Sequence, residues 1–168
     1  MTILFSWIGH IDLFAMCQSL PDEQRHMVLT EIKRTLPQYK VGPGAVKAML
    51  DYRKFDRICL FSNYSQAINE KFRAWLDVPV EISTFFFQDP SSYEEIFPAV
   101  SREMERLLQG QSVNDEISFL LSPGTPTMGV VWILLGMTRY RNYSFYQTYQ
   151  GKVTRSVMPF ELHIDSLP

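Results

Sequence analysis

The sequence predicts an α/β fold: a three-layer sandwich with a mainly parallel sheet, helices on both faces and a C-terminal antiparallel hairpin. Short apolar runs alternate four times with helical segments, a pattern typical of a parallel sheet with helical connections. Residues 117–121 are almost entirely apolar, as expected of a strand buried on both faces. Near the end, Tyr143–Tyr149 and residues 152–158 flank a Gln150-Gly151 turn, which predicts the hairpin.

The composition is that of one globular domain. The chain is 46% hydrophobic and 20% charged, and its 168 residues suffice to bury a core. The net charge of −2 argues against general duplex binding, although residues 117–160 contain four cations and no acid. No apolar run approaches the roughly 20 residues that span a bilayer, and no basic leader precedes the first strand. We therefore expect a cytoplasmic domain over residues 1–168.

The first half of the chain predicts two strands separated by helices. Thr2–Trp7 is a run of β-formers, followed by a turn at Gly9 and a possible helix N-cap at Asp12. Helical spacing extends over residues 13–36, and Pro21 begins a typical first helical turn. A further short helix is predicted over residues 43–52 and a second strand over residues 56–63.

The next segments alternate in the same way. Ser65 is positioned to cap a helix, and residues 80–87 predict a third strand. Ser92 and Glu95 fit the capping-box pattern at the start of another helix, which Gly110 ends.

The turn after residues 117–121 is the most informative stretch. Pro123 and Gly124 break the strand, Thr125 stands where an N-cap belongs, and Pro126 fits the first helical position. Such a turn gathers backbone N–H groups and hydroxyls at the positive end of a helix dipole, which suits an anionic ligand. The alternative is that this turn has only a structural role, connecting the strand to a buried helix.

The helix that follows is apolar nearly all round over residues 130–135. It must be covered on every side. Burial within the monomer is one solution, and pairing with a second copy across a dimer axis is the one we favour.

Several familiar sites are absent from the sequence. There is no dinucleotide-binding or phosphate-binding glycine motif and no nucleophile elbow, and the three histidines are scattered. Cys17 and Cys59 lack paired spacing and are interpreted as reduced core thiols. We therefore expect no cofactor, no metal and no strong catalytic residue. What remains is a set of small polar groups at three strand ends, predicted to meet at one sheet edge and bind a ligand: Gly9, His10, Asp12, Ser62, Asn63, Tyr64, Ser122, Pro123, Gly124, Thr125, Pro126, Thr127 and Met128.

Individual members have two interpretations. His10 could stack on a base or donate to a phosphate, or be a satisfied loop histidine. Asn63 could contact a purine edge or serve the turn, and Trp7 could stack on a base or belong to the core. Asp12 is more typical of a helix cap than of a catalytic base. Arg139, with Arg141, could contact phosphates or lie solvated at a helix end.

Four short segments, in this order, carry a resemblance to a known family. They are Phe5-Ser6-Trp7-Ile8-Gly9-His10-x-Asp12, Asp56-Arg57-x-x-Leu60-x-Ser62-Asn63-Tyr64, Leu120-x-Ser122-Pro123-Gly124-Thr125-Pro126-x-Met128-x-x-x-Trp132, and Pro159-Phe160.

Together they resemble the CARF domain, the CRISPR-associated Rossmann fold. They are most similar to the N-terminal sensory domains of AAA+ enhancer-binding activators of the RNA-repair-operon-regulator type. The end of the chain, Asp165 to Pro168, resembles the junction before the AAA+ module. The resemblance implies a Rossmann-like homodimer whose paired sheet ends bind a cyclic oligoadenylate or a short RNA, in a longer regulator with fused AAA+ and DNA-binding domains.

One departure concerns the ligand. Many relatives place small hydroxyl residues after the first-strand glycine, whereas this chain has His10 and Ile11, so cyclic tetra-adenylate should not be assumed. A sensor is our leading hypothesis. The second is a metal-independent ring nuclease that cleaves its cyclic ligand by in-line placement of a ribose 2′-hydroxyl. The third is a dimerisation module with a vestigial pocket.

Overall fold

A computed structural model describes residues 1–163. The predicted AAA+ junction at Asp165 to Pro168 lies outside them. The described part contains six strands and six helices. The strands are β1 (Thr2–Trp7), β2 (Arg57–Ser62), β3 (Glu81–Thr84), β4 (Glu116–Leu120), β5 (Tyr143–Tyr149) and β6 (Lys152–Ser156); the helices are α1 (His10–Cys17), α2 (Asp22–Ile32), α3 (Ala45–Tyr52), α4 (Gln66–Leu76), α5 (Tyr93–Leu107) and α6 (Pro126–Arg139).

The six strands form one sheet in the order β3-β2-β1-β4-β5-β6. The first five are parallel, and β6 pairs antiparallel with β5. At the centre, Phe5 of β1 lies between Cys59 of β2 and Phe119 of β4. The predicted α/β fold, with its parallel sheet and terminal hairpin, is confirmed.

The sheet buries both faces. Ile3, Phe5 and Trp7 of β1 pack on the side of α5 and α6, together with Trp132 of α6. Leu4, on the opposite side, packs against α1, α3 and α4. This alternation follows from the two-residue period of a strand, and it places the helices in two outer layers.

Three predicted helix caps are confirmed. The hydroxyls of Ser65, Ser92 and Thr125 accept hydrogen bonds from the N–H groups of Ile68, Glu95 and Met128. The capping box at Ser92 does not close, because the Glu95 carboxylate accepts instead from the N–H of Asp89, at 3.0 Å.

Three boundaries differ from the prediction. The helical stretch over residues 13–36 is two helices, α1 and α2. The helix predicted from Pro43 begins at Ala45. The third strand is only Glu81–Thr84. The N–H of Phe85 still donates to the carbonyl of Ser62 at 2.8 Å, but the pairing ends there, and the rings of Phe85 and Phe87 pack on the Trp7 ring.

The predicted N-cap at Asp12 is wrong. Helix α1 begins at His10 with Gly9 as its N-cap, and Asp12 is the third helical residue. Its carboxylate reaches back to accept from the N–H of Gly9, at 2.8 Å. The side chain therefore still serves the helix start, from inside the helix. Among residues 1–163, none of the helices combines the length and apolar character that crossing a membrane requires.

Candidate ligand-binding cavity at the carboxyl edge of the sheet

The order of the strands in the sheet changes direction between β1 and β4: β2 and β3 follow on one side of β1, and β4 and β5 on the other. Helix α1, after β1, covers one face of the sheet, while α6, after β4, covers the other. The two turns separate at the carboxyl edge, which is where open α/β sheets bind ligands. They also touch, since a Cβ on Gly9 would lie 3.0 Å from the backbone nitrogen of Gly124.

A cavity of about 850 Å³ opens at this edge. Four segments line it: the turn into α1, the loop between α2 and α3, the turn after β4, and the tip of the β5–β6 hairpin. The loop and the hairpin tip approach each other, because a Cβ on Gly151 would lie 3.6 Å from Cδ of Pro43. Segments far apart in the sequence thus enclose one space.

Six of the thirteen predicted binding residues line this cavity, and seven lie away from its wall. The six are Gly9, His10, Asp12, Ser122, Pro123 and Gly124.

Gly124 has a backbone and a packing environment that favour glycine. Its φ of +93° lies in the left-handed region. A Cβ there would also meet the Met128 sulfur at 2.7 Å and Cβ of Trp7 at 3.3 Å. The turn is therefore packed directly on the core beneath the cavity.

Most side chains of the β4–α6 turn make bonds within the protein. Ser122 Oγ accepts from the N–H of Thr148 at 2.7 Å, which ties the turn to β5. Thr125 Oγ1 donates to the carbonyl of Pro90 at 2.7 Å, and Thr127 Oγ1 donates to that of Ser91 at 2.8 Å. Both threonines thus face the loop before α5. Pro126 begins α6 as predicted, and Met128 is buried with its sulfur accepting from the N–H of Thr125.

The residues at the end of β2 do not line the cavity. The buried Ser62 hydroxyl donates to Oδ1 of Asn69 at 2.6 Å. Asn63 Oδ1 accepts from the N–H of Phe87 at 3.3 Å, so it serves the segment after β3. Only Tyr64 reaches towards the cavity, through His10.

His10 joins two side chains. Its Nδ1 lies 2.9 Å from the Tyr64 hydroxyl, and its Nε2 lies 3.3 Å from Nη2 of Arg34. Because a guanidinium can only donate, Nε2 must accept, which leaves the proton on Nδ1 to be donated to Tyr64. Burial, and secondly the nearby Arg34 charge, lower the pKa of His10, in agreement with this neutral form. Burial raises the pKa of Tyr64, so its hydroxyl stays neutral.

Asp12 lies beneath the cavity, only 1% exposed. Its Oδ2 accepts from the N–H of Gly9, and its Oδ1 accepts from the N–H of Val46, at 2.9 Å. One carboxyl thus joins the N-termini of α1 and α3, where negative charge is stabilised. Burial nevertheless raises the pKa of Asp12 to about 6, against the opposing effect of these bonds. Gly44 is packed on it, since a Cβ there would lie 2.9 Å from Oδ1.

The cavity carries positive charge at its mouth. Arg34 and Lys40 line it, and Asp12 is the one acid among its described lining residues. In residues 1–163, no acceptor faces the backbone N–H groups of His10 and Ile11 at the first turn of α1. Two of the cations noted in the sequence lie elsewhere: Arg139 pairs with Glu105 of α5, and Arg155 donates to the hydroxyl of Ser144.

Sequence reasoning missed much of the cavity wall, including four large polar side chains. We call Arg34, Tyr39, Lys40 and Tyr149 the rim. The available signals were weak: a Tyr-Lys pair within a polar loop, and a tyrosine directly before a Gln-Gly turn. Neither motif indicates a ligand until the hairpin tip is seen next to the loop.

Fold and cavity together define an α/β domain with a cavity at its switch point. The chain matches no family model and no curated protein. Among solved structures it is similar to Enterococcus italicus Csm6 bound to cyclic hexa-2′-fluoro-hexa-dAMP, with a TM-score of 0.60 and 17% sequence identity. The match covers 89% of this chain and 33% of the Csm6 chain, so this chain spans about a third of that protein. At this identity the similarity establishes the shared fold.

Proposed function

We propose that this chain is a ligand-sensing domain of the CARF type that binds an RNA-derived nucleotide, a cyclic oligoadenylate or a short RNA. The observation that carries the proposal is the cavity at the switch point, lined by Arg34 and Lys40. It occurs in a fold similar to that of Csm6, whose structure contains a cyclic adenylate analogue.

The cavity suits phosphates. Two cations stand at its mouth, and the first-turn N–H groups of α1 lie at the positive end of the helix dipole. The one lining acid, Asp12, already uses both oxygens to accept from backbone N–H groups. Phosphate oxygens can therefore meet donors without facing an exposed carboxylate.

A homodimer is part of the proposal. A volume of about 850 Å³ is that of a pocket for a drug-sized molecule, and a ring of four or six nucleotides is larger. Two cavities that meet across a two-fold axis would share such a ring. Val130 is an apolar residue of α6 that is 38% exposed, and it offers surface for that contact.

The domain would act as the sensor of a cytoplasmic transcription activator. In this proposal the fused AAA+ and DNA-binding domains form the output, and ligand binding at the dimer changes their activity. The support is the resemblance of the sequence motifs, above all the segment Ser122 to Met128.

Isothermal titration calorimetry tests the proposal. The domain is titrated with cyclic tetra-adenylate, cyclic hexa-adenylate and linear hexa-adenylate with either a 2′,3′-cyclic phosphate or a 3′-hydroxyl end. We expect one of them to bind with one ligand per two chains. Absence of heat with every ligand, while the domain is folded and dimeric, would favour a dimerisation module with a vestigial pocket.

A ring nuclease is the second candidate, favoured by the neutral His10 at the cavity wall. If a phosphate takes the place of His10 as the partner of Arg34, the freed Nε2 could accept the proton of a ribose 2′-hydroxyl as the 2′-oxygen attacks the adjacent phosphorus. The bond from phosphorus to the 5′-oxygen breaks, and the 5′-oxygen takes the proton that His10 accepted, giving a 2′,3′-cyclic phosphate and a 5′-hydroxyl and leaving His10 neutral again. Incubation with labelled cyclic oligoadenylate separates the two candidates, since a sensor leaves the ring intact and a nuclease linearises it.

A further inference from the structure

We infer that Tyr39 and Tyr149 hold unpaired bases of the ligand by stacking, which makes the rim a base-binding site. This inference rests on the proposed function and adds the part of the ligand that is recognised. Both rings line the cavity, from the α2–α3 loop and from the hairpin tip, and both are largely exposed, at 67% and 78%.

The rings of Tyr39 and Tyr149 make neither an aromatic pair nor a hydrogen bond within the described part of the protein. By contrast Tyr64 and Tyr146, which also lie near the carboxyl half of the sheet, each bond a neighbour through the hydroxyl. Two large exposed rings on one cavity are surface that a ligand can cover.

The backbone holds one of the rings in a defined place. Tyr149 precedes a two-residue hairpin turn in which Gln150 and Gly151 have φ values of +50° and +78°. Such a turn has little freedom, and it rests against Pro43 of the opposite loop. The tyrosine is thus presented by a short, rigid element, which lowers the entropic cost of stacking.

The neighbouring charges specify the ligand class. Lys40 directly follows Tyr39, and Arg34 lies on the same loop, so aromatic rings and cations alternate along the wall. Binding surfaces for single-stranded nucleic acid combine these two elements, since bases stack on rings while phosphates meet cations. Two rings accommodate two bases. The rim therefore fits an unpaired oligonucleotide of two or more nucleotides better than a mononucleotide.

Binding assays with rim variants test this inference. The affinity for cyclic hexa-adenylate, or for whichever oligoadenylate the wild-type domain binds best, is measured for Tyr39→Ala, Tyr149→Ala, Tyr39→Phe and Tyr149→Phe. We expect each alanine variant to bind about 5- to 150-fold more weakly and each phenylalanine variant to bind like the wild type, because stacking needs the ring and not the hydroxyl. Affinity for inorganic tripolyphosphate, which has no base, should not change.

Tyr52 provides the matched control. It is 56% exposed, does not line the cavity, and ends α3 near Asp56, which bonds Thr2 at the amino edge of the sheet. Unlike the two rim tyrosines it packs edge-on against another ring, that of Tyr146. Tyr52→Ala should keep wild-type affinity. If Tyr39→Ala and Tyr149→Ala both bind with wild-type affinity, this inference is wrong and the proposed function is unaffected. If the wild type binds no oligoadenylate or RNA, both fall together.

Discussion

The turn after β4 and the rim line the same cavity in opposite ways. In the turn, Ser122, Thr125 and Thr127 make hydrogen bonds inside the protein, and Gly124 packs on the core. In the rim, Tyr39 and Tyr149 extend into solvent without partners among the described residues. The difference teaches that the turn, which has the recognisable sequence, fixes the backbone, whereas the rim offers the free side chains that a ligand would contact.

The largest effect is expected at Gly124. In Gly124→Leu, a side chain must adopt a φ of +93° and enter space held by Met128 and Trp7. We expect a loss of about 2–4 kcal/mol in the free energy of unfolding. Ligand affinity should fall by about 100-fold or more, because the neighbouring Gly9 turn is displaced too. Chemical denaturation measures the stability and calorimetry the affinity. The proposed dimer should persist in size-exclusion chromatography.

Gly110→Leu is the control for this change. Gly110 has a similar φ of +83°, and a Cβ added there would have no atom within 4 Å, so only the backbone strain of about 1–2 kcal/mol is expected. Equal destabilisation by the two substitutions would mean that the β4–α6 turn can move. Undiminished ligand affinity in Gly124→Leu would remove this turn from the binding site.

The next effect is the contribution of Asp12 to the pH dependence of the free energy of unfolding. Its folded pKa of about 6 lies above the ordinary 3.8, so the folded protein binds the proton more readily than the unfolded chain. The stabilisation by the neutral carboxyl is therefore complete below about pH 4 and is lost as the pH rises to about 6. The free energy of unfolding of the wild type, minus that of Asp12→Asn, should fall by about 3 kcal/mol over this window. Urea denaturation at each pH measures it.

Asp51→Asn, on the exposed side of α3, controls for the loss of one negative charge. A wild-type advantage that instead grows with pH would show that the N–H groups of Gly9 and Val46 stabilise the carboxylate more than burial destabilises it.

The smallest effect is expected at Arg34. Its partner in the free protein is the neutral His10, at 3.3 Å, so a phosphate can replace that partner at little cost. Arg34→Gln should weaken oligoadenylate binding about 10-fold. The slope of log affinity against log salt should decrease in magnitude by about 0.7, one phosphate contact. Arg102→Gln, exposed on α5 away from the cavity, should change neither quantity by more than the experimental error.

Much of the fold could be predicted because its signals are local. Buried strands have continuous apolar runs, and helix starts at Ser65, Ser92 and Thr125 carry side chains that bond the next turn. The third strand was predicted too long because Phe85 and Phe87 are β-formers, whereas in the structure strand pairing stops at Thr84 and both rings pack on Trp7. Local propensity cannot reveal such a contact.

The site was predictable where backbone geometry dictates the residue. Gly9 and Gly124 follow their strands at the switch point and line the cavity. The rim was missed because its two segments are more than a hundred positions apart in the sequence, and neither is distinctive alone. Asn63, Thr125 and Thr127 have polar side chains typical of ligand contacts, yet their partners are backbone groups of the segment between β3 and α5.

Gly151 at the hairpin tip lies close enough to Pro43 of the loop for an added Cβ to be in van der Waals range, and among residues 1–163 no backbone hydrogen bond joins the two segments. Neither segment belongs to the hydrogen-bonded centre of the sheet. Insertions or exchanges in either one can therefore reshape the enclosed space while the framework folds as before. Substitutions at a few surface positions can in this way change which molecules the cavity can hold.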